Sequence, residues 1–202
     1  NYLKNGIAEV MKFTINFCIN NKKKFIFIPK YKNFDKHFKD EMNFYKKRLT
    51  KNEYNFLSKS LNRNYFKNYG SYLAMFRSKV TVSTISTMLS ENLATRNKVL
   101  ACNLTNIKIL NFPIKKICSI NNCNYKDFEK RLLNILFLSR DEYFSKIGNK
   151  KNYLVTFNKK LTTIELLIQK INIFGGSYRD VKKNSLHQIY FIIFFLDLYQ
   201  FI

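Results

Sequence analysis

Hydroxyl side chains stand at Ser83, Thr84, Ser86 and Thr87, and a carboxylate follows at Glu91. Small hydroxyls in a turn that opens a helix can cap its free N–H groups or donate to phosphate oxygens, and the positive end of the helix dipole favours an anion there. Glu91 lies one helical turn beyond Thr87, where a carboxylate can accept hydrogen bonds from a ribose. Two readings of these residues stand side by side. One is a phosphate-binding turn with a ribose acceptor; the other is a helix start capped by Ser86 or Thr87, with Glu91 a solvated helix residue.

The elements that position this turn are legible around it. The segment Lys79 to Thr105 reads KVTVSTISTMLSENLATRNKVLACNLT. A β-branched run at Val80 to Val82 precedes the hydroxyls, a helical stretch carries Glu91, and a second apolar run covers Lys98 to Cys102. Upstream, apolar residues at helical spacing predict a helix over Gly6 to Asn20, and the run Phe25 to Ile28, ended by Pro29, predicts a buried strand. Asn33 or Asp35 is placed to cap a second helix reaching Arg48. Thr50 to Gly70 reads as a connection with a short helix near Glu53 to Leu61, and Tyr72 to Phe76 as a short helix leading into Val80. This alternation predicts an α/β domain with an open parallel sheet flanked by helices. Strands at Phe25 to Ile28, Val80 to Ser83 and Val99 to Cys102 are expected side by side, with the hydroxyl turn at their carboxyl ends, where such sheets hold ligands.

Downstream, Asn103 to Cys123 reads as irregular, with a short strand at Ile107 to Leu110. Tyr125 to Leu138 has helical spacing, and Ser139-Arg140-Asp141-Glu142 has the S-x-x-E pattern of a capping box opening a helix to about Lys150. Thr162 to Ile173 is a further amphipathic stretch. Gly175-Gly176-Ser177 marks a boundary between a domain over 1–174 and an apolar C-terminal tail over 175–202. Ile189 to Ile202 is shorter than the roughly 20 residues that a membrane span needs, and Asp197 interrupts it, so a packed helix is expected first, ahead of an interfacial helix or a segment outside the fold.

The order of strand, Ser83-Thr84-Ile85-Ser86-Thr87, helix with Glu91 and Ala94, strand with Lys98-Val99-Leu100, and the later Asn111-Phe112-Pro113 resembles the C-terminal nucleotide-sugar-binding half of GT-B glycosyltransferases. Within that class it looks most like bacterial enzymes of surface-polysaccharide assembly. The resemblance covers about Ser71 to Pro113, extends more loosely over Tyr125 to Ile171 and is absent from the last twenty or so residues. It implies a single Rossmann-like half, with Ser83, Thr84, Ser86 and Thr87 near a donor diphosphate and Glu91 near the ribose or sugar. It implies no cofactor beyond the nucleotide sugar, which is a substrate. The implied partners are a carbohydrate or lipid-linked acceptor, with peripheral contact at the inner membrane. In that family the acceptor contacts and often the base come from an N-terminal half, which is expected to be missing or vestigial here. The chain also starts at Asn1 without an initiator Met, so a fragment that binds a donor without turnover is expected.

Composition narrows the alternatives. The chain of 202 residues carries 36 Lys and Arg against 13 Asp and Glu, a formal charge of +23. That excess favours anionic ligands and keeps open a second function class, a basic module for nucleic acid or an anionic membrane surface. The lysines are spread along the chain, and no helix-turn-helix or RNA-binding signature accompanies them. There is no D-x-D pair to hold a metal, no G-x-G-x-x-G and no P-loop pattern, which argues against a metal-dependent GT-A transferase, a dinucleotide oxidoreductase and a P-loop ATPase. Cys18, Cys102, Cys118 and Cys123 form no C-x-x-C pair, and two of them sit inside apolar runs where cysteine behaves as a small hydrophobe, which predicts a reduced, cytoplasmic setting. His37 and His187 share no spacing with a cysteine or an acid and read as surface or helix-end residues. Arg77 is a weak phosphate candidate, at the end of the preceding helix.

Overall fold

The computed structural model describes residues 2–31, 36–61 and 70–148. The predicted helix at Thr162 to Ile173, His187, the 174/175 boundary and the apolar tail lie outside the described residues.

Helix α1 (Tyr2–Asn20) leads into an extended segment, and α2 (Lys36–Lys46) and α3 (Lys51–Lys59) follow. Then come α4 (Gly70–Arg77), β1 (Thr81–Ser83), α5 (Thr87–Ala94) and β2 (Val99–Asn103). A 3-10 turn at Lys108–Leu110 precedes β3 (Ser119–Asn121), α6 (Tyr125–Phe137) and α7 (Arg140–Ile147). The strands form one parallel sheet in the order β1-β2-β3. Thr81 stands opposite Val99 and Ala101 opposite Ser119. This is the α/β, Rossmann-like arrangement that the alternating pattern predicts.

Central strand β2 is buried at all five positions, as expected for a parallel strand covered on both faces. Its residues join the main core with Phe17, Leu89, Leu93, Phe128, Ile135 and Tyr143. Cys18, Cys102 and Cys118 are buried in the same core, and burial pushes the Cys18 and Cys118 thiols up to about 11. They act as small apolar side chains. Helix α6 returns along the sheet, and its C-terminal carbonyls are met by the buried ammonium of Lys98. Lys98 Nζ donates to the carbonyls of Ile135 and Leu138 at 2.7 Å each and of Leu136 at 3.3 Å. A cation at a helix C-terminus satisfies both the free carbonyls and the dipole.

Three expectations are corrected. Phe25 to Ile28 is not a strand of the sheet: Phe27 makes a lone parallel bridge to Leu61, its N–H donating to Ser60 O at 2.8 Å. The physical reason is that helices cover this apolar run instead of strands. Phe27 is buried in a second core with Ile15, Tyr45, Leu49 and Leu57, while Ile26 is 36% exposed. The strand expected at Ile107 to Leu110 is the 3-10 turn, whose Ile109 is exposed. The third strand instead comes from Ser119–Asn121, inside the stretch read as irregular. It is recruited by β2, whose Ala101 N–H donates to Cys118 O at 2.8 Å.

Two capping boxes set helix starts. In α7, Ser139 and Glu142 exchange backbone bonds as the S-x-x-E pattern predicts. In α3, Thr50 and Glu53 do the same, so that helix begins earlier than Glu53 and the connection is shorter than expected.

Candidate functional site

The parallel register of β1 and β2 puts Ser83 at the carboxyl end of β1, and the chain turns there into α5. Ser86 is the N-cap of α5, its hydroxyl accepting the Met88 N–H at 3.2 Å. Its backbone is extended, as a cap requires, with φ −165° and ψ 134°. Thr87 is the first helical residue and is exposed; Ser83 and Ser86 are half-buried. Thr84 is 8% exposed, which withdraws its side chain from a ligand outside the turn. The hydroxyl cluster therefore divides into a cap, an exposed hydroxyl, a strand end and a buried threonine.

Glu91 is half-buried one turn along α5 and accepts a hydrogen bond from the Tyr72 hydroxyl of α4 at 2.8 Å. Burial, and then this bond, push the Tyr72 phenol up to about 12, so it remains a donor at neutral pH. The carboxylate thus has a protein partner in addition to whatever solvent or ligand reaches it. Tyr72 was not among the residues singled out from sequence. It falls in the short helix before the turn, and no motif marks it. Arg77 ends α4 and is exposed.

Asparagines line the carboxyl ends of the other two strands. Asn103, 2% exposed at the end of β2, ties the following loop together. Its Nδ2 donates to Ile107 O at 3.0 Å and to Asn111 Oδ1 at 2.6 Å; its Oδ1 accepts from Thr105 N at 2.9 Å and Thr105 Oγ1 at 2.6 Å. Asn103-Leu104-Thr105 has the N-x-T spacing of a glycosylation acceptor, but this network occupies the Asn103 amide, so it is not open to modification in the folded chain. Across the ladder from Asn103 stands Asn121, at the end of β3. Its Oδ1 is buried without a hydrogen-bond partner. An acceptor left this way costs about 1 to 3 kcal/mol unless a ligand or water supplies a donor. Neighbouring Asn122 takes φ 46°, and Asn124 caps α6 by accepting the Asp127 N–H at 3.0 Å. The Asn-Asn-Cys-Asn run at 121–124 was the available sequence signal, since asparagine tolerates the left-handed backbone and caps helices.

Chemically, this sheet end offers the N-termini of α5 and α6, exposed and half-buried hydroxyls, one carboxylate and one orphan acceptor. Two strand spacings of about 4.8 Å, with β3 ending two residues further along than β1, put the ends of β1 and β3 roughly 12 Å apart, a span that a nucleotide-sized ligand can bridge. Among the described residues no group of His, Cys, Asp and Glu has the arrangement of a metal site. His37 sits at the start of α2, 3.9 Å from Asp40, away from these residues in the chain. Among the described residues no helix is long and apolar enough to cross a membrane. Compared with protein-family models, with curated proteins and with solved structures, the chain matches none.

Proposed function

We propose that this chain is the nucleotide-sugar-binding half of a glycosyltransferase of cell-surface carbohydrate synthesis, with the donor at the carboxyl end of β1 and β2. The observation that carries the reading is the parallel β1-α5-β2 unit, which opens the Ser83 to Thr87 turn onto the side of the sheet where α/β domains hold ligands. In this reading the diphosphate lies on the α5 N-terminus near Ser83, Ser86 and Thr87. Glu91 accepts from the ribose or sugar, and Asn121 Oδ1 gains its missing donor. Transfer itself needs an acceptor oxygen and a base aligned with the anomeric carbon, and these come from a partner half. The test is calorimetric titration of the chain with a panel of sugar nucleotides. At least one is expected to bind, and Glu91→Ala or the Ser86→Ala/Thr87→Ala pair is expected to lose about 1 to 3 kcal/mol of that affinity. Unchanged affinity in folded variants would reject the site.

A second reading, a basic module for nucleic acid or an anionic membrane surface, is favoured by a different observation. Lys22, Lys23 and Lys59 line a groove of about 520 Å³ together with Asn52, Asn55 and Phe56. Asn52, Asn55, Phe56 and Lys59 share one face of α3 by their spacing. Co-sedimentation with phosphatidylglycerol vesicles and titration with single-stranded DNA separate the readings: binding lost in a Lys22→Glu/Lys59→Glu variant, with no sugar nucleotide bound, selects this one.

A further inference from the structure

At the other end of the sheet, where β1 and β2 begin, the junction of α6 and α7 borders a cavity of about 450 Å³. That is the size of a small-molecule site, roughly 300 to 1,000 Å³. Its lining includes Ser78, Lys79, Asn97, Lys98, Phe137 and Arg140. Three cations therefore meet one carboxylate there, Glu142, and that carboxylate is already held by the Ser139 N–H at 2.7 Å. Among the described residues the ion pairs are His37 with Asp40 and Arg96 with Asp141, so neither Lys79 nor Arg140 has an acidic partner.

The cations have different tasks. Lys98 spends its three protons on the carbonyls of Ile135, Leu136 and Leu138 and contributes only its charge. Arg140 uses one terminal nitrogen on Asn97 Oδ1 at 3.2 Å and keeps further donors for a ligand. Lys79 is exposed at the rim. Burial first, and then the fields of Lys79 and Arg140, hold the Lys98 ammonium below its usual range, as expected where positive charge is crowded without a counterion. Phe137 lines the same cavity and is 84% exposed. An aromatic face beside unpaired cations is the combination that takes a stacked base and its phosphate.

We infer that this cavity at the amino end of the sheet is a nucleotide site, separate from the hydroxyl turn, in which Lys79 and Arg140 hold the phosphate and Phe137 stacks the base. The nucleotide is either free or one unit of a single strand. Calorimetric titration of the full chain with thymidine monophosphate, with an oligothymidylate of about ten nucleotides and with inorganic phosphate tests it. Lys79→Ala, Arg140→Ala and Phe137→Ala are each expected to weaken thymidine monophosphate by at least about fivefold, with Phe137→Ala leaving phosphate unchanged. All three side chains are exposed, and an unaltered thermal melt checks that each variant is folded. Lys46→Ala, at the exposed end of α2, is expected to leave thymidine monophosphate affinity as it was. An oligomer that binds more tightly than the mononucleotide, with a steep salt dependence, assigns the site to single strands; equal affinity assigns it to the free nucleotide. No saturable binding of either probe overturns the inference. So does binding that responds to Ser86 or Lys59 but not to Lys79, Arg140 and Phe137.

Discussion

The Tyr143 hydroxyl closes both backbone groups of Val99, accepting its N–H at 3.1 Å and donating to its carbonyl at 2.7 Å. Val99 begins β2 on the side facing β3, and β3 starts only opposite Ala101. One phenol on α7 thus supplies the ladder bonds that a longer β3 would have made. Tyr143 is fully buried, so removing the hydroxyl strands two backbone groups. Tyr143→Phe is expected to cost about 2 to 4 kcal/mol, read as a lower urea midpoint with an unchanged slope.

Glu53 joins α3 to α1. It accepts from Thr50 N at 2.8 Å, Thr50 Oγ1 at 2.9 Å and Asn16 Nδ2 at 2.9 Å. Burial opposes its ionisation, but these bonds and the field of Lys12 outweigh burial and hold the carboxyl below its ordinary value near 4.5. A depressed acid contributes stability that is complete above the ordinary value and is lost as pH falls through the folded one. Glu53→Gln should therefore be less stable by about 1 kcal/mol at neutral pH, and denaturation curves of variant and parent should converge as pH drops below 4.5. A gap that stays constant with pH would show that the charge is irrelevant.

Gly6 marks the closest approach of α1 to the loop after β2. A Cβ there would lie 2.6 Å from Thr105 Cγ2 and 2.8 Å from the Leu104 carbonyl carbon, the latter being backbone. Alanine elsewhere in a helix gains about 1 kcal/mol over glycine, so this site reverses the usual sign. Gly6→Ala is expected to lower the thermal midpoint, with an overpacking cost of about 1 to 3 kcal/mol.

In the proposed donor site, the Tyr72 hydroxyl, which donates to Glu91 at 2.8 Å, would compete with a ribose for that carboxylate. Tyr72→Phe should free the carboxylate and tighten sugar-nucleotide binding about two- to fivefold in calorimetry. Weaker binding would instead make the phenol part of the ligand contact.

Periodicity and capping carried most of the sequence reading. The parallel pairing of β1 with β2 followed from two apolar runs flanking a helix, and α7 from Ser139 and Glu142. Thr50-Lys51-Asn52-Glu53 has the same spacing and was the overlooked mark of the α3 start. Strand β3 was illegible because three residues, Ser119, Ile120 and Asn121, carry no period. Phe25 to Ile28 misled because an apolar run under helices has the composition of one between strands. At the candidate site the hydroxyl turn could be located, whereas the Tyr72 contact and the Asn121 orphan depend on elements far apart in sequence.

The enclosure of Lys98 has a consequence for surface chemistry. An amine whose three protons are committed to carbonyls, inside a residue 8% exposed, has no lone pair to offer an acylating reagent. Among the described lysines all but Lys12 and Lys98 are exposed, and Lys98 would stay unlabelled while the native state persists. It would acquire label at the rate at which α6 lifts from β2, so mass spectrometry of that one peptide clocks the opening of the sheet's amino end.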